Sequence, residues 1–290
     1  MKLRSVRKVI PAKKVNMGGI MLDQPLPYGG IDQIDPFLLV HHWADKMPGN
    51  ESEKNLGVGP HPHRGFSPVT FIFKGDIHHR DSLNNSEIVT EGGTQWISSG
   101  RGIVHSERPS TQMAKKGGDF ELIQWWVNTP QEKKMYPAYY KALQKKDTPT
   151  YKSKNGKVKV AVVNGLFKGI KGDIEAPNPM LNLRFEMKTD GEIDVNIPNG
   201  YNAFIYQLDG ELIVNDNTKT AAKNLTWFKN DGEGIKLKAN ADTRLMLLSG
   251  KPLDEPVVSY GPFVMTSQTE IMEAIRDYQM GKMGVLIEEF

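Results

Sequence analysis

The sequence predicts an all-β protein built from many short strands, and three observations support this prediction. Short apolar or alternating runs recur along the 290 residues, separated by Gly, Pro, Asn and Asp, as in antiparallel sheets. Turn signals such as Lys74-Gly75-Asp76 and Asn230-Asp231-Gly232 stand between them. Helix signals are few. Strands of this kind close into sandwiches or barrels; the predicted strands include residues 69–73, 120–127, 157–163, 181–187, 204–208 and 245–248.

One helix is predicted near the C-terminus, over residues 267–281. Ser267 and Glu270 have the spacing of a capping box, an apolar face follows, and Gly281 is a stop signal. We expect this helix to contribute packing rather than function. Residues 138–144 show a second, weaker helical pattern.

Composition excludes several kinds of site. The chain has no cysteine, so disulfides, thiolate ligands and cysteine nucleophiles are excluded, and any metal must be held by nitrogen and oxygen. No apolar run approaches the ~20 residues of a membrane-spanning helix, and the basic N-terminus is not followed by the apolar segment of a signal peptide. We therefore expect a cytoplasmic protein with no membrane partner.

The charge distribution does not predict nucleic-acid binding. A net charge of +3 and a pI of 8.8 are mild, whereas direct nucleic-acid binding calls for a clustered basic face. Residues 133–171 nevertheless hold eleven lysines and a single acid, Asp147. This segment is either a contact for an anionic partner or a solvated linker, and the prolines and glycine that interrupt it favour the linker.

The histidines indicate where the chemistry lies. All seven fall between positions 41 and 105, and two motifs repeat a spacing of two residues: His61-Pro62-His63 and His105-Ser106-Glu107. Residues i and i+2 of a strand point to the same face. Two such strands lying side by side would aim three imidazoles and one carboxylate at a single point. The sequence therefore predicts a metal site.

Several segments resemble the pirin family of the cupin superfamily. The most specific are Gly59-Pro-His61-Pro-His63-Arg-Gly-Phe and Trp96-Ile-Ser-Ser-Gly100-Arg-Gly102-Ile-Val-His105-Ser-Glu107. Others follow the family's order: Asp35-Pro-Phe, His79-Arg-Asp81-Ser82, Gln124-Trp-Trp-Val-Asn128 and Gly261-Pro-Phe-Val-Met. The resemblance implies two tandem cupin (double-stranded β-helix) barrels, with a short C-terminal helix.

The resemblance also implies a division of the chain and a ligand set. Residues 1–135 would form an N-terminal metal-binding cupin domain, residues 136–160 a lysine-rich connection, and residues 161–290 a C-terminal cupin domain without metal ligands. Residues 64–77 align without gaps with residues 199–212, which places Asn196 and Pro198 at the positions of the two histidines of the first motif. The implied ligands are His61, His63, His105 and Glu107. The general cupin pattern has a further glutamate where this chain has Ser67, and Glu107 supplies the carboxylate instead.

One divalent transition metal is expected per chain. Three imidazoles and one carboxylate leave about two further positions on an octahedral ion, which suits Fe(II), our first expectation, and also Mn, Co, Ni or Cu. Zinc would be satisfied by four protein ligands in a closed, structural site, and this alternative stays open.

Other residues are weaker candidates. Arg64 and Arg101 flank the two motifs and either anchor an anionic substrate or pair with surface acids, and we favour the pairing. In each of two adjacent histidine pairs one ring must face away from the core, so most of these are expected at the surface or behind the ligands: His41, His42, His78 and His79. Four aromatic residues are expected in the core, with one at most lining a pocket: Trp43, Phe71, Phe73 and Trp96.

Two functions from different classes follow. The resemblance implies a quercetin 2,3-dioxygenase, in which a flavonol binds the metal through its deprotonated 3-hydroxyl, Glu107 is the catalytic base and O2 attacks the activated ring. Its partners would be a small aromatic substrate and O2. The alternative is a non-catalytic, metal-dependent regulatory protein that binds a transcription factor or a metabolic enzyme, with the lysine-rich segment as a candidate contact.

Overall fold

A computed structural model describes all 290 residues and confirms an all-β protein, with 53% strand and 8% helix. The strands are β1 Val6–Pro11, β2 Lys13–Met17, β3 Ile20–Leu26, β4 Phe37–Met47, β5 Val58–His63, β6 Phe66–Lys74, β7 Asp76–Asp81, β8 Ser86–Thr90, β9 Thr94–Ser98, β10 Ile103–Arg108, β11 Gly118–Asn128, β12 Tyr139–Leu143, β13 Thr150–Lys152, β14 Val158–Asn164, β15 Leu166–Phe167, β16 Ile170–Lys171, β17 Met180–Met187, β18 Glu192–Asn196, β19 Asn202–Gln207, β20 Glu211–Val214, β21 Thr218–Ala221, β22 Asn224–Phe228, β23 Gly234–Ala239, β24 Thr243–Gly250, β25 Val258–Tyr260 and β26 Phe263–Met265.

There are two α-helices, α1 Thr111–Lys116 and α2 Gln268–Gln279, and two short 3-10 turns at Glu53–Asn55 and Gln131–Lys133. The C-terminal helix α2 is confirmed within two residues of its predicted ends. Its N-cap Ser267 accepts a hydrogen bond from the Glu270 backbone N–H. No helix is both long and apolar enough to cross a membrane.

The helical prediction for residues 138–144 is wrong. This segment is the strand β12, which pairs antiparallel with β9 from Tyr139 opposite Ser98 to Leu143 opposite Thr94. Its alanine and leucine suit a helix, but a free sheet edge at β9 offers five residues of backbone pairing. Tertiary context therefore overrides local propensity here.

The chain divides into two compact units that alternate along the sequence. The first unit comprises residues 18–22, 39–147 and 254–290, and the second comprises residues 1–17, 23–38 and 148–253. This division differs from the sequential boundaries at 135 and 161, because each unit includes one terminus of the chain that lies far from it in sequence. In the first unit, Ile271 and Ala274 of α2 are buried in one cluster with Val104 and Phe263. In the second, β1 pairs with β22.

The two units repeat one strand order. The first unit contains a four-stranded sheet, β5-β10-β7-β8, and a larger sheet with the order β9-β6-β11-β4. The second contains β18-β23-β20-β21 and a sheet with the order β22-β19-β24-β17. The strands β6 and β19 occupy equivalent places and are the segments that align in the sequence, so the topology supports a duplication.

The interior of the second unit is a packed apolar core. Its buried cluster includes Leu183, Phe185, Ile205 and Leu247, each 0% exposed. The strand β18 takes the place of β5, and Asn196 at its end lies opposite Gly234 of β23. No imidazole occupies this position: Asn196 is exposed, and the buried side chains of β18 are the aliphatic Ile193 and Val195.

Candidate metal centre

The strands β5 and β10 bring the two histidine motifs together. They pair antiparallel, with His61 opposite His105 and His63 opposite Ile103. The register shifts between His105 and Glu107, as at a β-bulge, which re-aims side chains in its neighbourhood. The predicted arrangement of two adjacent strands is therefore present.

The three imidazoles form a tight cluster. Ring centroids lie 4.8 Å apart for His61 and His63, 4.3 Å for His61 and His105, and 4.9 Å for His63 and His105. One nitrogen from each ring lies within 4.8 Å of the other two. His63 is 3% exposed and His105 is fully buried. Such a cluster matches the donor set of a transition metal.

Hydrogen bonds set the tautomers of two rings. His61 Nδ1 lies 2.8 Å from the Gly59 carbonyl oxygen, and His63 Nδ1 lies 3.3 Å from the Pro262 carbonyl oxygen. A carbonyl only accepts, so each Nδ1 donates its hydrogen and leaves the Nε2 lone pair for a ligand bond. This is the usual state of a metal-ligating histidine.

The third ring, that of His105, has buried nitrogens that a ligand would satisfy. Both nitrogens of His105 are buried, and neither has a hydrogen-bonding partner. A buried polar atom without a partner costs about 1–3 kcal/mol, and a bound metal ion would satisfy one of the two. The three histidines therefore fit a divalent transition metal.

The His63 and His105 rings are neutral at ordinary pH. Burial lowers the pKa of His63 and of His105 well below the usual 6.5, and the neighbouring His61 lowers both further. Because a metal binds only deprotonated imidazole, this shift favours binding at neutral and mildly acidic pH.

Glu107 lies beside the cluster within a network of donors. Its Oε1 accepts hydrogen bonds from Gln95 Nε2 and, at 3.3 Å, from Thr70 Oγ1, while its Oε2 accepts one from Gln124 Nε2 at 2.8 Å. Its oxygens are not within the 4.8 Å group that the three imidazoles form. Its assignment as fourth ligand stays a prediction.

The adjacent histidine pairs alternate as predicted. His42 and His79 are buried, while His41 and His78 are partly exposed. His42 Nε2 lies 3.3 Å from Glu121 Oε1. The His79 ring stacks on Tyr140 with centroids 3.9 Å apart, 5.5 Å from the His105 ring. His79 therefore lies directly behind the His105 ring.

Arg64 pairs with an acid, but the pair is not at the surface. The Arg64 side chain is 4% exposed; both Nη atoms lie 3.1 Å from Asp277 Oδ2, and Nε donates to the Arg101 carbonyl oxygen at 2.6 Å. Asp277 belongs to α2. The helix α2 therefore holds Arg64, the residue that follows His63. The carbonyl oxygen of Pro262, just before β26, orients the His63 ring. Arg101 itself is exposed.

The aromatic prediction is confirmed for the core. Four aromatic side chains are buried to 8% exposure or less: Trp43, Phe71, Phe73 and Trp96. Two others, Phe66 and Trp126, flank His63 with centroids 4.9 and 5.6 Å away, and neither was predicted as a site residue. The i, i+2 spacing of Gln124 and Trp126 on β11 is a signal that could have found this face.

Comparison with known proteins identifies the family. The Pirin family matches residues 19–127, and the Pirin C-terminal cupin domain matches residues 182–284. The chain belongs to the pirin family. Its fold is therefore two cupin domains with a short C-terminal helix, as the resemblance implied.

Relatives of this pirin extend over nearly its whole length. A pirin-like protein of Solanum lycopersicum is 34% identical over 97% of this chain and 93% of its own length. A Pseudomonas aeruginosa protein provisionally named a quercetin 2,3-dioxygenase is 34% identical over 86% of each chain. The crystal structure of a quercetin 2,3-dioxygenase from Acinetobacter baumannii superposes with a TM-score of 0.92 at 31% identity, over 98% of this chain and 100% of that one.

Proposed function

We propose that this pirin is a metal-dependent dioxygenase that acts on flavonols such as quercetin. The observation that supports it most is the cluster of His61, His63 and His105, in which two Nε2 atoms are available and the third ring lacks any hydrogen bond. The similarity to a quercetin 2,3-dioxygenase over the whole chain supports the same activity.

The residues of this chain would bind the metal and accept the substrate proton. The three histidines would hold one divalent metal, Fe(II) first, with Mn, Co, Ni, Cu or Zn as alternatives. When bound, the metal supplies a Lewis acid that orients the flavonol oxygens and makes the ring electron-rich. Glu107 would complete the ligand set and take the proton of the substrate 3-hydroxyl as general base.

A flat aromatic substrate suits the surroundings of His63. Phe66 and Trp126 pack against each other with centroids 4.3 Å apart at 36°, and both contact the His63 ring. Trp126 is partly exposed, whereas Phe66 is fully buried. Trp126 would therefore offer its ring to a bicyclic ligand at the metal.

The proposal is tested by metal content and O2 consumption with quercetin. We expect wild-type protein to hold near-stoichiometric metal and consume O2, and His61→Ala to lose both. His78→Ala is the matched control, because His78 lies on β7, which pairs with β10, and its ring bonds to Ser86 and not to the histidine cluster. Bound metal without turnover would overturn the dioxygenase proposal.

The role of Glu107 needs its own variant. At a metal concentration that saturates the three histidines, we expect Glu107→Gln to hold metal and lose turnover, because an amide keeps the shape of the side chain but cannot accept the substrate proton. Turnover equal to that of the wild type would exclude the base role.

The second candidate is a non-catalytic, metal-dependent regulatory protein. It is favoured by the exposure of Lys145, Lys146, Lys152 and Lys154, which leaves much of the lysine-rich segment available to an anionic protein partner. Its distinguishing result is binding of a protein partner that depends on the metal and is weakened by replacing these lysines with glutamine.

A further inference from the structure

Glu107 is buried among donors that do not belong to the histidine cluster. It is 6% exposed, and each carboxylate oxygen accepts an N–H from a different glutamine, Gln95 on β9 and Gln124 on β11. Gln95 is fully buried. Burying an amide costs free energy unless the amide is hydrogen-bonded, and the hydrogen bond from Gln95 to Glu107 offsets this cost.

Neighbouring donors set which end of each amide faces the carboxylate. Trp126 Nε1 lies 3.2 Å from Gln124 Oε1, and an indole N–H can only donate. The Gln124 carbonyl oxygen therefore faces Trp126, and its NH2 faces Glu107. An isolated amide could take either orientation, so this contact selects one.

Gln95 has a contact on its other side that is consistent with the same orientation. The Tyr140 hydroxyl lies 3.5 Å from Gln95 Oε1. Burial raises the pKa of the Tyr140 hydroxyl above its usual 10.0, so the hydroxyl keeps its hydrogen and can donate it to Oε1 while the Gln95 NH2 group faces Glu107. The Tyr140 ring is in turn held by stacking on His79, whose Nε2 lies 2.8 Å from Asp81 Oδ2.

We propose that Gln95 and Gln124 form an amide clamp that fixes the orientation of the Glu107 carboxylate, and that Tyr140 and Trp126 orient the two amides. Gln95 and Thr70 together use both lone pairs of Oε1, and Gln124 uses one lone pair of Oε2. The second lone pair of Oε2 stays available to a metal ion or to the proton of a substrate. The two glutamines are therefore positioning residues, which act through Glu107.

This inference rests on the metal site of the proposed function but not on its dioxygenase reaction. Its test is accordingly a metal-binding measurement. The affinity for Co(II) is measured by competition with a chelator, and the Co(II) absorption spectrum reports the ligand set. The variants are Gln95→Met and Gln124→Met, which keep an unbranched side chain and remove the donor. Gln144→Met is the control, because the Gln144 amide bonds to Thr90 and Ile88 of β8 and not to Glu107.

We expect each clamp variant to bind Co(II) about 10- to 100-fold more weakly, as is typical when a residue behind a metal ligand is lost, and to change the Co(II) spectrum. In a Glu107→Ala background the same substitutions should produce no further loss, because the carboxylate they position is gone. Equal losses with and without Glu107, or no loss in either, would overturn the clamp.

Tyr140→Phe keeps the inference testable if a methionine variant does not fold. It removes only the hydroxyl and preserves the stacking on His79, so we expect a smaller loss of Co(II) affinity in the same direction. A Tyr140→Phe protein with wild-type affinity and spectrum would contradict the proposed role of Tyr140. If wild-type protein fails to turn over quercetin while the dependence on Glu107 holds, the dioxygenase proposal fails and the clamp stands.

Discussion

The ion pair between Arg64 and Asp277 is expected to stabilise the first unit and to hold α2 against the connection between β5 and β6. The two side chains are 4% and 15% exposed, and Asp277 accepts from both Nη atoms at 3.1 Å. Breaking a buried pair from one side costs about 3–5 kcal/mol, because the other charge is left uncompensated. Arg64 keeps its bond to the Arg101 carbonyl oxygen, so Asp277→Ala is expected near the lower limit, about 3 kcal/mol.

The assay is thermal unfolding of metal-free protein, followed by circular dichroism. A loss of about 3 kcal/mol corresponds to a melting temperature lower by about 6–12 °C for a unit of this size. Asp119→Ala is the control, since Asp119 of the same unit forms an ion pair with Lys74 at 3.3 Å on the exposed surface, where such a pair contributes little. If Asp277→Ala and Asp119→Ala melt at the same temperature, the buried pair does not hold the helix.

Three further predictions concern the pH dependence of stability, a glycine with a left-handed backbone conformation, and stabilisation by a bound metal. Burial lowers the pKa of His63 and His105 well below 6.5 and that of His41 to about 4. The unfolded chain therefore binds protons below pH 6.5 that the folded protein does not. The contribution of these three histidines to the stability of metal-free protein is constant above about pH 7 and falls as pH drops from 6.5 toward 4. Equal melting temperatures at about pH 7 and about pH 5 would contradict this. Gly65→Ala is expected to lower the free energy of unfolding, measured in urea, by about 3 kcal/mol, because the φ of Gly65 is +85° and a Cβ would lie 2.0 Å from a carbonyl oxygen of β26. The control is Gly169→Ala, where φ is +82° but the space around the residue is open, and there the loss is only about 1 kcal/mol. Adding Co(II) to metal-free protein at 100 times its dissociation constant is expected to stabilise the first unit by about 2.7 kcal/mol, measured by calorimetry; an unchanged first-unit transition would contradict a preformed site.

Local patterns predicted the strands, the C-terminal helix and the grouping of the histidines. The reason is that each depends on neighbours in the sequence. Alternation places His61 and His63 on one face of β5, and the capping residues Ser267 and Glu270 start α2 where the structure has it.

Contacts between distant segments could not be predicted in this way. The carbonyl oxygen of Pro262 orients His63 across 199 residues, and Asp277 reaches Arg64 across 213. No periodicity or spacing records such a pairing. The sequential domain boundaries differ from the compact units for the same reason, because the C-terminal segment packs on the first unit.

The polar network around Glu107 was also beyond the sequence argument. Gln124 stands in the predicted strand over residues 120–127, and Gln95 comes directly before the family-like segment that begins at Trp96. A glutamine at either place is as consistent with a solvent-facing position as with a buried one. Only the pairing of β9 and β11 with β6 shows that both amides meet the same carboxylate.

The most direct test of the central claim is anomalous diffraction from crystals of the protein loaded with Co(II). We expect one strong peak per chain, bonded by Nε2 of His61, Nε2 of His63 and one ring nitrogen of His105, with Glu107 in its ligand sphere. A peak at any other place, or ligation through Nδ1 of His61 or His63, would contradict the metal site that the hydrogen bonds of these rings define.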